Sequence, residues 1–429
     1  MGNLFKSVAV LLGTGLLPVF SYAQKSVIIE DDEPNSIMFI SRDKAGDDII
    51  TILNENQLPR FQDPKAPRFI LTDRKGKFAL GIGGYVKATA EYDFGGIVKD
   101  VDFYPALIPN GGSGDYAHNQ FQMDITTSNL FLQLVGHTKR LGDFVVHVGG
   151  NFRGSGSTFE LQNAYASFLG FTVGYTYGLF MDAAAGPATI DFAGPGGMTF
   201  YRATQLSYQR SFLKHWKAAI GVEMPDVNGT TNDNLSISTQ RMPDFTAYGQ
   251  YNWNSQSHIR VGAIARSMTY NSNIDKKAHS KAGWGVQAST TFNFLRKFQA
   301  FGQFSYGHGI GSFMNDLSNL NVDLVPNPEK EGRMQALPML GWYAGLQYNI
   351  TPKVFMSASY SQSRLYSKDG YPSDPSESFN KGRYFVANAF WNVTSNLQAG
   401  IEYLRGKRID FNDQGRHANR VNLSVQYSF

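Results

Sequence analysis

The sequence lacks cysteine, has few charged residues, and lacks any apolar run long enough for a membrane-spanning helix. None of its 429 residues is cysteine, so an exported chain of this size has no disulfide framework. Charged residues make up 17% of the chain, below the roughly 25% of an average protein. A transmembrane helix needs roughly 20 consecutive apolar residues, and even the apolar run at 8–20 is too short. If the mature chain is a membrane protein, it must cross the membrane as β-strands.

Charge and histidine positions exclude further classes of protein. The formal net charge is +4, and removing Lys6 with a leader makes it +3, too small to indicate nucleic-acid binding. The histidines show no metal-binding spacing, so we expect neither a metal nor another cofactor. The run Gly81-Ile82-Gly83-Gly84 lacks the third glycine of a dinucleotide fingerprint and indicates close strand packing or a kink.

The amino terminus has the features of an export signal. Lys6 supplies a basic region, Val8 to Phe20 is largely apolar, and Ser21-Tyr22-Ala23 has the small-x-small form of a cleavage site. We predict a signal peptide over residues 1–23. Residues 24–76 are polar, acidic in patches and proline-containing, which indicates a periplasmic N-terminal extension. The apolar run Ile49 to Leu53 is a candidate for docking under the rest of the protein.

From Lys77 onward, segments of roughly ten residues alternate apolar and polar side chains. In the last segment, Val421, Leu423, Val425, Tyr427 and Phe429 alternate with polar neighbours. In a barrel, the apolar face contacts lipid and the polar face lines the lumen.

Sixteen such segments predict an all-β protein, a 16-stranded antiparallel transmembrane β-barrel of general-porin architecture over residues 77–429. Between the first and last, they lie at 120–138, 143–153, 158–169, 171–180, 198–210, 215–225, 243–253, 257–270, 282–294, 298–309, 339–350, 353–364, 382–392 and 396–405. Their connections alternate between short turns and long loops, except that the connection near 154–157 is short where a long one is expected. The long ones lie at 94–119, 181–197, 226–242, 271–281, 310–338, 365–381 and 406–418. An even number of strands can close without an unpaired edge in lipid.

Aromatic residues mark many of the predicted strand ends. They would form two girdles at the interfaces with outer-membrane lipid and lipopolysaccharide: Tyr92, Phe144, Tyr177, Trp253, Trp284, Phe294, Trp342, Tyr360, Trp391 and Tyr403. The terminal Phe429 resembles the signal by which outer-membrane proteins in general are recognised by the barrel-assembly machinery. We expect it to close the barrel by pairing with the first strand.

Two stretches resemble the DcaP-like (dicarboxylate-uptake) porin family. Leu80-Gly-Ile-Gly-Gly-Tyr-Val-Lys-Ala88 is similar to the family's first strand. The second stretch runs from Phe159 to Gly197 and resembles the family's fourth and fifth strands and the loop after them. Its matching parts are Phe159 to Tyr165, Gly174 to Phe180 and Phe180-Met-Asp-Ala-Ala-Ala-Gly-Pro-Ala-Thr-Ile-Asp-Phe-Ala-Gly-Pro-Gly-Gly197. The resemblance implies a sixteen-stranded homotrimeric outer-membrane channel for small, often anionic solutes such as dicarboxylates.

The third long loop, 181–197, is expected to fold inward and form the constriction, as in general porins. Its glycines allow backbone to run against the wall, its prolines stiffen it, and its aspartates can bond to wall residues. The candidate residues of this loop are Asp182, Pro187, Asp191, Phe192, Gly194 and Pro195.

Basic residues opposite such a loop select permeating ions through their field. Parity places several in the lumen: Lys87, His147, Arg153, Lys217, Arg260, Arg266 and Arg420. Arg202 follows the loop directly. The hypothesis is that Lys87, Arg153, Arg202 and Arg266 form a basic eyelet facing Asp182 and Asp191, with a weak preference for anionic or zwitterionic solutes.

Two other functions compete with a diffusion channel for small hydrophilic solutes. An outer-membrane barrel enzyme of protease or lipase type needs a histidine near an acid or serine, and His308 near Asp316 is the one hint in the sequence. An energised receptor needs a plug domain and about twenty-two strands, more than the sixteen segments found. The channel is the leading hypothesis, without catalytic residues.

Overall fold

Strands make up most of the described chain. The structure is a computed structural model and describes residues 37–41, 52–53, 56–73, 78–109 and 118–429. The predicted signal peptide, residues 1–23, lies outside these ranges. Within them, no helix is long and apolar enough to cross a membrane.

The strands are numbered β1 to β22 in chain order. Their bounds are β1 Ile37–Ser41, β2 Phe69–Asp73, β3 Phe78–Phe94, β4 Asn119–Asp124, β5 Asn129–Thr138, β6 Gly142–Gly154, β7 Thr158–Phe168, β8 Phe171–Tyr177, β9 Arg202–Phe212, β10 Trp216–Glu223, β11 Leu235–Ile237, β12 Asp244–Asn254, β13 Ser257–Ser272, β14 Lys277–Phe294, β15 Phe298–His308, β16 Val325–Pro326, β17 Met334–Gln335, β18 Pro338–Asn349, β19 Val354–Leu365, β20 Phe379–Asn392, β21 Leu397–Asp410 and β22 Gly415–Ser428. Short 3-10 helices lie in three connections, at Pro105–Leu107, Ala183–Ala185 and Gly311–Phe313.

Sixteen strand positions close into one antiparallel barrel. β4 and β5 both pair with β3 and together form one interrupted strand. Successive pairings then run from β5 around to β22, which pairs with β3 from Asn419↔Phe94 to Ser428↔Tyr85. Phe429 adds two backbone hydrogen bonds to Gly84, of 3.0 and 3.1 Å. The predicted fold class and the closure at the terminal phenylalanine are confirmed.

Two of the predicted long loops are wrong. β13 and β14 continue to Ser272 and Lys277, and β21 and β22 continue to Asp410 and Gly415. The predicted loops at 271–281 and 406–418 are therefore the tips of long hairpins. The backbone ladder continues there although the side chains no longer alternate between apolar and polar.

The two faces of the wall follow the predicted alternation. On β3, Lys87 and Glu91 are buried towards the lumen, whereas Val86 and Tyr92 on the other face are 58% and 47% exposed. Tyr177 departs from its predicted place in an interfacial girdle, because its hydroxyl donates a 2.6 Å hydrogen bond to Asp63 inside the barrel.

The segment before the barrel enters the lumen at the end that carries the short turns. β2 pairs with the first residues of β3, for example Phe69 with Ile82, which lie before the part of β3 that pairs with β22. β1 in turn pairs with β2. Leu53 is buried with Ile70, which agrees with the predicted docking of the end of the Ile49 to Leu53 run. The predicted periplasmic extension over 24–76 is wrong for the residues just before β2, called here the lumen segment (residues 56–67), because they bond to lumen-facing side chains.

Three connections fold inward and build a hydrophobic core inside the barrel. Ile310, Phe313 and Met314 of the β15–β18 connection pack with Phe180 of the β8–β9 connection and Ala106 of the β3–β4 connection. Burying these side chains in the lumen stabilises the inward positions, since removal of apolar surface from water is favourable. The lumen is thereby narrowed by packed loops.

Candidate functional site

The connection between β8 and β9, called here the inner loop (residues 178–201), lies across the lumen. Its backbone accepts hydrogen bonds from Tyr343 on β18 (3.0 Å to Ala185 O) and Asn388 on β20 (2.7 Å to Ala188 O). The Glu402 carboxylate on β21 accepts from the backbone N–H groups of Ile190 and Asp191. The loop therefore contacts the wall far from its own strands.

Close backbone approach to the wall requires glycine at one point of this loop. A Cβ on Gly197 would lie 2.3 Å from the carbonyl oxygen of Gln362 and 2.7 Å from the backbone nitrogen of Trp342. The Gly197 N–H donates to Ser361 at 2.8 Å. Gly194 has a positive φ of 76°, and Pro187 and Pro195 are buried. These residues fix the path of the loop along the wall.

The two aspartates of the inner loop face different partners. Asp182 is fully buried and accepts hydrogen bonds of 2.7 Å from both His258 and Ser289, with Arg260 3.8 Å away. Although burial acts to raise it, the pKa of Asp182 is held well below the usual range by Arg260 and His258. Asp191 instead accepts from the Tyr384 hydroxyl and the Phe103 N–H, and burial raises its pKa well above the ordinary value. Neither aspartate forms an ion pair with the four predicted basic residues.

Two of the predicted basic residues lie against aromatic rings of the inner loop, Arg153 at the partly exposed Phe192 and Arg202 at Phe200. The Arg153 guanidinium lies 5.4 Å from the centre of the Phe192 ring and pairs with Asp102 at 2.7 Å. The Arg202 guanidinium lies 4.9 Å from the Phe200 ring and donates a 3.1 Å hydrogen bond to Tyr177. Aromatic faces attract cations electrostatically, so the rings hold both groups in place, but in the part of the chain that the structure describes only Arg153 also has a carboxylate partner.

The other two predicted basic residues are engaged elsewhere. Lys87 is buried and donates a 3.0 Å hydrogen bond to the carbonyl oxygen of Ile190. The Arg266 guanidinium is fully buried between Asp244 (2.9 Å) and Asp323 (3.2 Å). The predicted eyelet is therefore wrong for Arg266, whose charge is used within the packed loops.

Arg60 of the lumen segment lies beside these arginines, although it is not among the basic residues predicted from the sequence. Its guanidinium lies 4.9 Å from the Phe192 ring and 4.5 Å from the Phe200 ring, and donates to the Phe192 carbonyl oxygen. We call Arg60, Arg153 and Arg202 the basic cluster. The glycines at lumen-facing positions 81 and 83 were the available signal, because they leave room for a chain segment against the wall.

The hint of an enzyme site finds no support in the geometry. His308 stacks on Trp284, with ring centres 5.4 Å apart. The Asp316 carboxylate accepts from the Ser363 hydroxyl and from the backbone N–H of Ala106. The two residues are engaged by different partners, and the acid serves to anchor a loop.

A closed sixteen-stranded barrel narrowed by inward loops is the architecture of an outer-membrane porin. The sequence profile of the DcaP outer membrane protein family matches residues 71–429, and the chain belongs to that family. The family resemblance predicted from two stretches is thereby confirmed. The protein is an outer-membrane channel.

Solved structures agree with this fold. The outer membrane channel DcaP of Acinetobacter baumannii is 20% identical with a TM-score of 0.71, covering 83% of this chain and 98% of that one. An anion-selective porin from Comamonas acidovorans is 12% identical with a TM-score of 0.53, covering 82% of this chain and all of that one (100%). Salmonella typhi OmpF, in complex with daunomycin, is 13% identical with a TM-score of 0.53, covering 82% and 98%. No curated protein matches the sequence.

Proposed function

We propose that this channel passes small hydrophilic solutes by diffusion, with a preference for anionic or zwitterionic ones such as dicarboxylates. The observation that carries the proposal is that Arg60 and Arg202 of the basic cluster form no ion pair within the described ranges. Both guanidinium groups stack on aromatic rings, and among the described residues neither forms an ion pair with a carboxylate. Their charge is therefore available to a solute in a passage of low dielectric constant, where fixed charge governs ion selectivity.

Carboxylate solutes suit this arrangement chemically. A guanidinium offers several N–H donors in a planar fork that matches the two oxygens of a carboxylate. Arg202 remains partly exposed, so its guanidinium can be reached from the lumen. A dicarboxylate that passes the cluster can accept hydrogen bonds from it.

Reversal potentials in planar bilayers, measured across a potassium chloride gradient, test the proposal. We expect the wild-type protein to prefer chloride, and Arg202→Gln to lower the chloride-to-potassium permeability ratio by about two- to fivefold, as one charge near the passage would. Arg405→Gln, on the exposed outer face of β21, removes the same charge outside the lumen and should change nothing. Clear cation selectivity of the wild-type protein would contradict the proposal.

We also propose a homotrimer. The outward face of β3 carries Ala88 and Ala90, small residues that permit close approach of a second barrel, and the family resemblance implies the same assembly. Mass measurement in detergent tests this independently of selectivity, and a single-barrel mass would contradict it.

A further inference from the structure

The lumen segment (residues 56–67) contacts the barrel on opposite sides. On one side, the Asp63 carboxylate accepts a 2.6 Å hydrogen bond from Tyr177 at the end of β8. On the other, the Phe61 ring lies 5.9 Å from Phe355 on β19 and 5.0 Å from Phe390 on β20. In the ring of sixteen strand positions, β8 is fifth and β19 is thirteenth, half the circumference away. The segment therefore crosses the lumen.

The wall is shaped to receive this segment. Pro67 packs directly over Gly81 and Gly83 on the lumen face of β3. A Cβ on Gly81 would lie 2.2 Å from Pro67 Cγ, and a Cβ on Gly83 would lie 2.9 Å from Pro67 Cα. Any side chain at Gly81 would displace the segment, so the glycine run that resembled a nucleotide motif serves this contact.

The segment is also bonded to the inner loop. Gln62 Nε2 donates to the carbonyl oxygens of Thr189 (2.9 Å) and Asp191 (2.6 Å), and the Tyr85 hydroxyl donates to the Gln62 carbonyl oxygen. These bonds hold the backbone next to Arg60, which places its guanidinium between the Phe192 and Phe200 rings. The segment and the inner loop together form one constriction.

Unsatisfied polar atoms surround the segment. Gln62 Oε1, Asn129 Oδ1, His147 Nδ1 and Arg202 Nε are buried and have no hydrogen-bond partner among the described residues. Buried polar groups are costly to leave without partners, and the gap that these atoms share has room for about one water molecule. These atoms belong to residues that line one gap between the segment and the wall, together with Arg60.

We propose that the lumen segment is a fixed part of the channel that narrows the passage and supplies Arg60 as a residue selecting for carboxylate-bearing solutes. The narrowing stands on the contacts alone. The role of Arg60 rests on the proposed anion preference. Chain that precedes the barrel thus takes part in permeation.

Single-channel recording on the full-length protein tests both parts. Gly81→Val should displace Pro67 and raise conductance about twofold, because a charged and sterically narrow region limits flow. Gly249→Val is the matched control, since a Cβ there would meet nothing within 4 Å, and its conductance should equal that of wild type. Arg60→Gln should lower the chloride-to-potassium permeability ratio about two- to fivefold. In the Gly81→Val background, the same change should have a much smaller effect, since the two sites act through one segment.

A second measurement covers the case in which Gly81→Val fails to fold. The chain has no cysteine, so Arg60→Cys carries the only thiol. Modification with an anionic methanethiosulfonate reagent should reduce its conductance. Ser255→Cys, in an exposed short turn, should be modified without that loss.

The outcomes separate this inference from the proposed function. If the wild type prefers cations, but Gly81→Val raises conductance and modified Arg60→Cys conducts less, the anion preference fails and the narrowing stands. If Arg202→Gln alters selectivity while Arg60→Gln does not, the role of Arg60 is overturned. Unchanged conductance in folded Gly81→Val and in modified Arg60→Cys would overturn the whole inference.

Discussion

Arg202 and Arg266 both present a guanidinium group to the inside of the barrel, but their surroundings differ. Arg266 pairs with Asp244 and Asp323 and donates to the carbonyl oxygen of Gly309 at 2.8 Å. Arg202 bonds to neutral groups, the Tyr177 hydroxyl and, at 3.4 Å, Gln162, and it stacks on Phe200. Asp63, which bonds to the same Tyr177 hydroxyl, is a nearby carboxylate but forms no ion pair with Arg202. The charge of the guanidinium group is neutralised by two carboxylates at Arg266, whereas Arg202 has no ion-pair partner in the chain as described.

The difference separates arginines that hold the loops in place from arginines whose charge acts on permeating solutes. A buried arginine with two carboxylates fixes the β15–β18 connection, which supplies Asp323, against the wall strands β12 and β13. An arginine held by ring faces leaves a field in the passage. Lumen position alone therefore does not identify a selectivity residue, and the partners of each charge decide its role.

The largest expected effect is a loss of stability when the ion pairs of Arg266 are removed. Arg266→Met should destabilise the folded barrel by about 3–5 kcal/mol, because Asp244 and Asp323 would be left buried without their cation. The measurement is the unfolding midpoint of purified protein in urea, followed by the gel mobility of the folded barrel. Arg202→Met is the control and should cost less, about 1 kcal/mol, since the buried Asp63 beside it keeps its hydrogen bonds from the Tyr177 hydroxyl and the Arg60 backbone N–H. Equal losses in the two variants would remove the distinction drawn between the regions.

The barrel itself was predictable because its signal is local. Alternation with a period of two requires only neighbouring residues, and it located the strands and closure at Phe429. It failed at the hairpin tips 271–281 and 406–418, where Lys277, Lys281 and Lys407 accompany other polar residues. Once both faces of a hairpin meet water, the alternation disappears although the hydrogen-bond ladder continues.

The contacts of the candidate site were predictable only in part. Parity indicates that Arg266 points inward, but its partner Asp323 is 57 residues away in the sequence and lies in a loop without periodicity. Arg60 belongs to a polar segment that has no strand pattern. Its place in the lumen depends on long-range bonds, such as those from Gln62 to the inner loop, which no local pattern reports.

An intermediate effect concerns the anchoring of the β15–β18 connection by Asp316. Burial raises the pKa of Asp316 from 3.8 to about 6. A carboxyl group with a raised pKa stabilises docking fully below its unfolded pKa, and this stabilisation is lost as pH rises through the folded one. Raising the pH from 4 to 8 should therefore weaken docking by up to about 3 kcal/mol.

Hydrogen exchange at residues 311–317, corrected for intrinsic rates, measures this change. Protection should fall as pH rises through about 6 in the wild type. It should be independent of pH in Asp316→Asn, whereas Asp374→Asn, in the exposed β19–β20 connection, should keep the wild-type dependence. Protection that increases with pH would show that the ionised form is the docked one.

The smallest expected effect is a change in ion selectivity at Arg153, whose surroundings are intermediate between those of Arg202 and Arg266. Its guanidinium pairs with Asp102 at 2.7 Å and lies 3.6 Å from Asp100, and the side chain remains 19% exposed. Asp102→Asn should free part of its charge and raise the chloride-to-potassium permeability ratio by about twofold, less than a full unscreened charge would. Burial raises the pKa of Asp102, so acidifying the wild type through that pKa removes the same negative charge and should shift selectivity in the same direction. Asp374→Asn removes a carboxylate from an exposed loop and should leave the ratio unchanged. A ratio that falls in Asp102→Asn would mean that Asp102 positions Arg153 rather than neutralising it, and Arg153 would then belong with Arg266 among the structural arginines.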